Sequence, residues 1–297
     1  MSFRVFCRAI IREIRVIRGY AFFVHRFYIS PNELDSGALV LRGAEAHHAS
    51  DVLRMKHGDK AVLFNGRGRE ITAEIVDLAR DEIRFRKLHQ AETPPLRCRI
   101  TLGQAIPKGK NMDLIVQKAV EIGASEIAPL ISERTIVDID QKEATRKQAK
   151  WQQVAIEAAK QCGQNWLPQI DAPRKLKDFF AQFPVETGLP AKPSPPQPQK
   201  RSGLSLQKNE SPFDFRLIGS LQSDAQHLKK ILADYQSEHR HLPASVLMLI
   251  GPEGDFTPAE LALAKSQGCS PITLGPIILR VETAAIYCLS VLSYELL

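Results

Sequence analysis

Five apolar residues in a row, Val-Leu-Met-Leu-Ile at 246–250, stop at Gly251 and give way to Pro-Glu-Gly-Asp. A run this short, with no polar alternation, predicts a strand buried on both faces, as inside a parallel sheet. A helix start follows: Thr257 to cap, Pro258 at the first helical position and Glu260 to complete a capping box. The helix is expected over 260–267, with Gly268 as its stop. The same order then returns: an apolar run at 272–274, Gly275, a loop, and a helix that turns Ala284, Ala285, Leu289 and Leu292 toward the core. Two strands ending in glycine with one helix between them have the length of a right-handed parallel crossover, so their loops flank one crevice. Open α/β sheets bind ligands in such a crevice.

Elsewhere, helical spacing marks 113–122 and 147–159, and strand patterns mark 126–131 and "FDFRLIGSL" from residue 213. The texture differs over 22–93, where short apolar runs surround "NGRGRE" and Asn65-Gly66 signals a hairpin turn. That pattern predicts a small β-barrel, joined through "TPPL" to an α/β domain over 94–297. A basic extension, 1–21, precedes both. Seven of the nineteen prolines fall in 184–212 among Ser, Gln and Lys, which predicts a disordered surface insertion within the second domain.

Nucleotide motifs fail on spacing. The loop after residue 250 offers only Gly251-x-x-Gly254, short of a dinucleotide fingerprint. "GQAIPKGKN", from Gly103, has five residues between its glycines where a phosphate loop has four, and Asn111 stands where Ser or Thr is required. Cys7, Cys98, Cys162, Cys269 and Cys288 are scattered, with no C-x-x-C pair, so neither a metal site nor a disulfide framework is expected. That usage suits a reducing cytoplasm.

The segments "LIGPEGDFTPAE" and "LGPIILRVETAA" resemble paired signatures of the RsmE family, bacterial enzymes that methylate N3 of a uridine in small-subunit ribosomal RNA. "HHASDVLRMKHGD", "KGKNMDLIVQKAVEIGASEIAPLISERT" and "WQQVAIEAAKQCGQNWLP" are similar to further blocks of that family. The resemblance spans roughly 22–183 and 213–297. It implies a SPOUT-type trefoil-knotted α/β methyltransferase domain preceded by a small PUA-like β-barrel. It also implies S-adenosylmethionine as cofactor, 16S ribosomal RNA in the small subunit as partner, and a homodimer. The positions that match the cofactor loops are Leu249, Ile250, Gly251, Glu253 and Gly254, then Leu274, Gly275, Ile278 and Leu279, then Thr283 and Ala284 at the start of the last helix.

Uracil N3 carries an imide proton, so its methylation calls for a base, a charge that stabilises the anion, or both. Arg280 fits the second role and Glu282 or Glu253 the first. Each carboxylate also has a structural reading: Glu253 as an acceptor of backbone N–H bonds within its own loop, Glu282 as a favourable charge at a helix N-terminus. Two positions depart from the family pattern, Asp255 in place of a second glycine and Ile277 in place of an arginine. Two alternatives stay open: a related knotted enzyme acting on another nucleotide or a ribose oxygen, and a catalytically silent RNA-binding assembly factor.

The net charge of +7 and a pI near 9.2 suit an acidic partner such as RNA. Residues 1–20 hold five arginines against one glutamate and supply +4 of that charge, so the remainder is mildly basic. RNA contacts are expected from local clusters: Arg67 with Arg69, Arg84 with Arg86 and Lys87, and Lys108 with Lys110. Each cluster reads equally as a solvated surface. The N-terminal arginines, Arg4, Arg8, Arg12, Arg15 and Arg18, have the spacing of a basic amphipathic helix and lack the apolar stretch of a membrane span or secretory signal. A misassigned start, a transit peptide and an RNA-binding arm all fit; the first is preferred, because the resemblance begins after this segment.

Overall fold

A computed structural model describes residues 25–37, 39–79, 81–135, 139–183 and 212–297. The N-terminal extension and all but the last residue of the proline-rich segment lie outside the described residues. By packing, the chain divides into two units: the described residues up to Pro95 together with Ala159–Trp166, and Leu96–Ala158 together with Leu167–Leu297.

The first unit contains β1 (His25–Tyr28), α1 (Pro31–Asp35), β2 (Val40–Arg42), α2 (Ala44–His47), a π-helical turn at His48–Val52, β3 (Lys60–Phe64), β4 (Arg69–Leu78) and β5 (Glu82–Glu92). Its five strands lie in the order β1-β3-β4-β5-β2. Alternation places Ile71, Ala73 and Ile75 of β4 inward, where they meet Phe27, Leu41, Leu63, Ile83 and Phe85 in one core. The expected hairpin joins β3 to β4, with Phe64 opposite Glu70. Its turn takes four residues rather than two: the Asn65 side-chain oxygen accepts from the backbone N–H groups of Arg67 and Arg69, at 2.8 and 3.1 Å. Residues 159–166, read from sequence as part of the second domain, pack here. Trp166 donates from its indole to the Thr93 carbonyl at 2.9 Å, and its ring lies where a Cβ on Gly68 would approach to 2.8 Å. Only glycine admits that contact, and its φ of +87° suits no other residue as well.

The second unit runs β6 (Arg99–Ala105), α3 (Asn111–Ile122), β7 (Glu126–Ile131), α4 (Gln141–Cys162, whose last residues count with the first unit), β8 (Gln169–Ile170), β9 (Arg174–Lys175), α5 (Leu176–Phe180), β10 (Phe215–Gly219), β11 (Gln226–His227), α6 (Leu228–His239), β12 (Ser245–Ile250), α7 (Pro258–Ser266), β13 (Ser270–Thr273) and α8 (Val281–Leu296). The strand order is β11-β13-β10-β12-β6-β7-β8, β9 also pairs β7, and every pairing is parallel. All six residues of β12 are buried, as the unbroken apolar run requires of a strand between two neighbours.

The predicted cap of α7 is complete. Thr257 Oγ1 accepts from the Glu260 N–H at 3.3 Å, and Glu260 Oε2 accepts from the Thr257 N–H at 2.9 Å. Helix α4 begins six residues before its expected start, because Asp140 caps it through the Glu143 N–H at 2.7 Å and the added turn is polar, with no apolar period to read. On one face of the sheet Leu130, Leu247 and Leu249 meet Phe179, Phe180, Leu261 and Ala264 of α5 and α7. After β13, outside β10, the chain returns to lay α8 against α3, β6 and β12, with Ala284, Ala285, Leu289 and Leu292 buried as expected. Among the described residues no helix is long and apolar enough to cross a membrane.

Candidate active site

Because its strands are parallel, the second unit brings the carboxyl ends of β6, β10, β12 and β13 to one edge. A cleft of about 470 Å³ opens there, within the range of roughly 300–1,000 Å³ that holds drug-sized ligands. Of the positions expected to hold cofactor, Ile250, Gly251, Glu253, Leu274, Gly275, Ile278, Leu279 and Ala284 line it. Leu249, Gly254 and Thr283 do not. The Leu249 side chain is wholly buried against the α5 and α7 layer, the Gly254 carbonyl is taken by the Arg134 guanidinium, and Thr283 sits on the exposed face of α8.

The loop over 251–257 is held at several points. Asp255 adopts φ +63°, the left-handed region that glycine enters freely and Asp or Asn more readily than most. This accounts for a residue other than glycine at that position. Its carboxylate accepts from the N–H of Phe256 at 2.8 Å and of Leu221 at 3.4 Å. Glu260, beyond its capping role, accepts from the Glu133 N–H at 2.9 Å and is buried.

Glu253 does not bond within its own loop. Its Oε1 accepts from the backbone N–H of Lys108 at 2.9 Å, in the segment that joins β6 to α3. Glu282, in the first turn of α8, accepts from the Asn111 side-chain amide at 3.3 Å. Arg280 is the N-cap residue of α8, makes no side-chain cap bond, and is exposed with no carboxylate partner among the described residues. Three carboxylates, Glu253, Asp255 and Glu282, thus line the cleft with one guanidinium. Ile277, where the family pattern has arginine, is 73% exposed on the same wall.

Sequence reading missed Gly219 at the end of β10 with Ser220 and Leu221 after it, and Asn111 at the start of α3, all of which line the cleft. The first three carried the signal already used twice, an apolar run ending in glycine. Asn111 carried none, since nothing local to it shows that α8 arrives beside it.

A family model described as an RNA methyltransferase domain matches residues 94–293, and one described as an RNA methyltransferase PUA domain matches 41–88. The chain belongs to the RsmE family of RNA methyltransferases. Among its RsmE relatives, the ribosomal RNA small subunit methyltransferase E of Synechocystis sp. is 29% identical over 260 residues, covering 88% of this chain and 74% of that one. The Bacillus subtilis protein of the same name is 28% identical, over 86% and 89%. In structure the chain is similar to the RsmE of Neisseria gonorrhoeae, solved bound to S-adenosyl methionine: TM-score 0.71, 28% identity, 92% of this chain and 98% of that one. The fold is accordingly the SPOUT-type knotted α/β domain with a PUA-like unit before it.

The basic clusters expected to meet RNA divide in this RsmE-family chain. In the first unit Arg69 pairs with Asp35 and Glu92, Arg84 with Glu82 at 2.7 Å, and Arg86 with Glu74 at 2.9 Å. Lys87 donates to Gln90 at 2.7 Å. Of that set Arg67 and Lys87 are exposed without a carboxylate partner among the described residues. Lys108 and Lys110 are exposed beside the cleft, likewise with no such partner there. Burial raises the thiols of Cys98 to about 11 and of Cys269 and Cys288 to about 12, which leaves them protonated and inert near neutrality.

Proposed function

We propose that this RsmE-family enzyme methylates N3 of a uridine in 16S ribosomal RNA of the small subunit, with S-adenosylmethionine as methyl donor. The observation that carries the reading is the cleft: an apolar bed at converging strand ends, three carboxylates suited to a sulfonium cation, and one guanidinium, unpaired among the described residues and suited to an anion. The small-subunit relatives and the donor bound by the gonococcal protein support it. The backbone at Gly251 and Gly275, with the side chains of Ile250, Leu274, Ile278, Leu279 and Ala284, would hold the donor. Bound there, it supplies a methyl carbon whose bond to sulfur breaks as N3 bonds to it, the electron pair staying on sulfur.

The remaining work falls to the chain's own residues. Glu282, oriented by Asn111, takes the imide proton from N3 and passes it to water. Arg280 stabilises the negative charge that then spreads over the uracil oxygens. A general base contributes about 10²–10⁴-fold, and holding N3 in line contributes more. Lys108, Lys110 and Arg67 are the phosphate contacts. Tyr287 and Tyr294 of α8 are 47% and 87% exposed, and Leu114 of the adjoining α3 is 41% exposed; such a face suits an isologous homodimer. The substrate implies the cytoplasm.

The test is to incubate small subunits lacking the modification with the purified protein and methyl-labelled donor, then analyse the nucleosides by mass spectrometry. Labelled 3-methyluridine is the expected product. A ribose-methylated or different nucleoside would move the enzyme elsewhere in its class, and absence of label would remove the reading.

A further inference from the structure

The two carboxylates that sequence leaves interchangeable are held in different ways, and we infer that Glu253 is a positioning residue: it anchors the basic segment 108–111 at the cleft so that Lys108 and Lys110 grip the RNA backbone. This rests on the function proposed above. Glu253 stands 145 positions from Lys108 in sequence, yet its Oε1 accepts that residue's backbone N–H at 2.9 Å. A carboxylate bonded to a main-chain donor fixes where a segment lies and leaves the side chain of that segment free. Lys108 and Lys110 are exposed, and Gly109 between them, at φ +71°, lets the chain turn there. At the far end of the same segment, Asn111 donates to Glu282. The segment is therefore fastened at both ends, by a loop residue and by the first turn of α8, while its two ammonium groups have no acidic partner among the described residues.

An amide oxygen accepts the Lys108 N–H as a carboxylate does, but it takes no proton, so Glu253→Gln and Glu253→Ala separate anchoring from base catalysis. For Glu253→Ala, the KM for small subunits should rise about tenfold, as expected for a lost phosphate grip, with kcat at saturating donor much less affected. Glu253→Gln should recover most of that loss. Amide hydrogen exchange at Lys108 should quicken in the alanine variant and stay near wild type in the glutamine variant. Equal losses in kcat of about 10²-fold or more for both variants, with KM unchanged, would make Glu253 the base and overturn the assignment. Unchanged exchange at Lys108 in Glu253→Ala would overturn it too. The exchange measurement needs no substrate, so it decides the anchor even where no uridine is methylated.

Discussion

The arginines of the first unit and the lysines beside the cleft are comparable in a list of basic residues and different in the folded chain. Arg69 and Arg86 lie opposite Glu92 and Glu74 of the paired strand, and Arg84 meets Glu82 two residues back on its own strand, so their charge is answered locally. Lys108 and Lys110 lie in a connection beyond a strand end, where the nearby carboxylates bond to the backbone and to Asn111 instead. Charge counted along a sequence therefore overstates what the sheet offers to phosphate and understates what the cleft offers. The pairs on the sheet are exposed and each is worth about 0–1 kcal/mol, so RNA can displace them, but each contact then replaces one ion pair with another.

The sharpest test of that contrast is Arg280, the cleft's guanidinium. Arg280→Ala should lower kcat/KM about 10²–10³-fold, the usual cost of removing a stabiliser of developing negative charge, while calorimetry shows the donor still binding. Next, Lys108→Ala with Lys110→Ala should weaken RNA binding about tenfold and reduce the slope of log K against log salt by roughly 1–2. Arg84→Ala with Arg86→Ala should change that slope by well under 1 on the same scale. Equal slopes for the two double variants would show that the strand pairs open when RNA binds, and the contrast would fail.

Smaller effects concern the frame that holds the cleft. Thr257→Ala removes one half of the capping box and should cost about 1 kcal/mol in denaturant unfolding. Burial raises the Glu126 carboxyl above its ordinary 4.5, with nearby Asp171 adding to the effect. A raised carboxyl binds its proton more tightly folded than unfolded, so its favourable contribution is complete below 4.5 and is lost as pH climbs through the raised value. Glu126→Gln should therefore stabilise the protein slightly at neutral pH and leave it unchanged near pH 3, as followed by thermal unfolding at both.

Much of the frame was legible because its signals are local. The run at 246–250, the cap at Thr257 and the stop at Gly268 each depend on a few consecutive residues, and each appears where expected. What stayed hidden depends on which segments meet. No property of Asn111 discloses Glu282, which lies 171 positions away. Leu249 sits beside Ile250 in sequence, but strand alternation turns the two to opposite faces, so one lines the cleft and the other the core. Residues 159–166 read as part of one domain and pack with the other, because a glycine at 68 leaves room for Trp166.

Contacts that join residues 145 and 171 positions apart also set a timetable. Loop-closure entropy makes such pairings slow to form and late to be rewarded. The second unit's sheet shares that delay, since β6 pairs with β12 from Arg99 opposite Ser245 to Gln104 opposite Ile250, so probes of the local hairpin strands of the first unit should finish early and probes of the parallel sheet late. The capacity to bind donor should return only with the slowest phase, which makes donor binding a clock for the completed chain path.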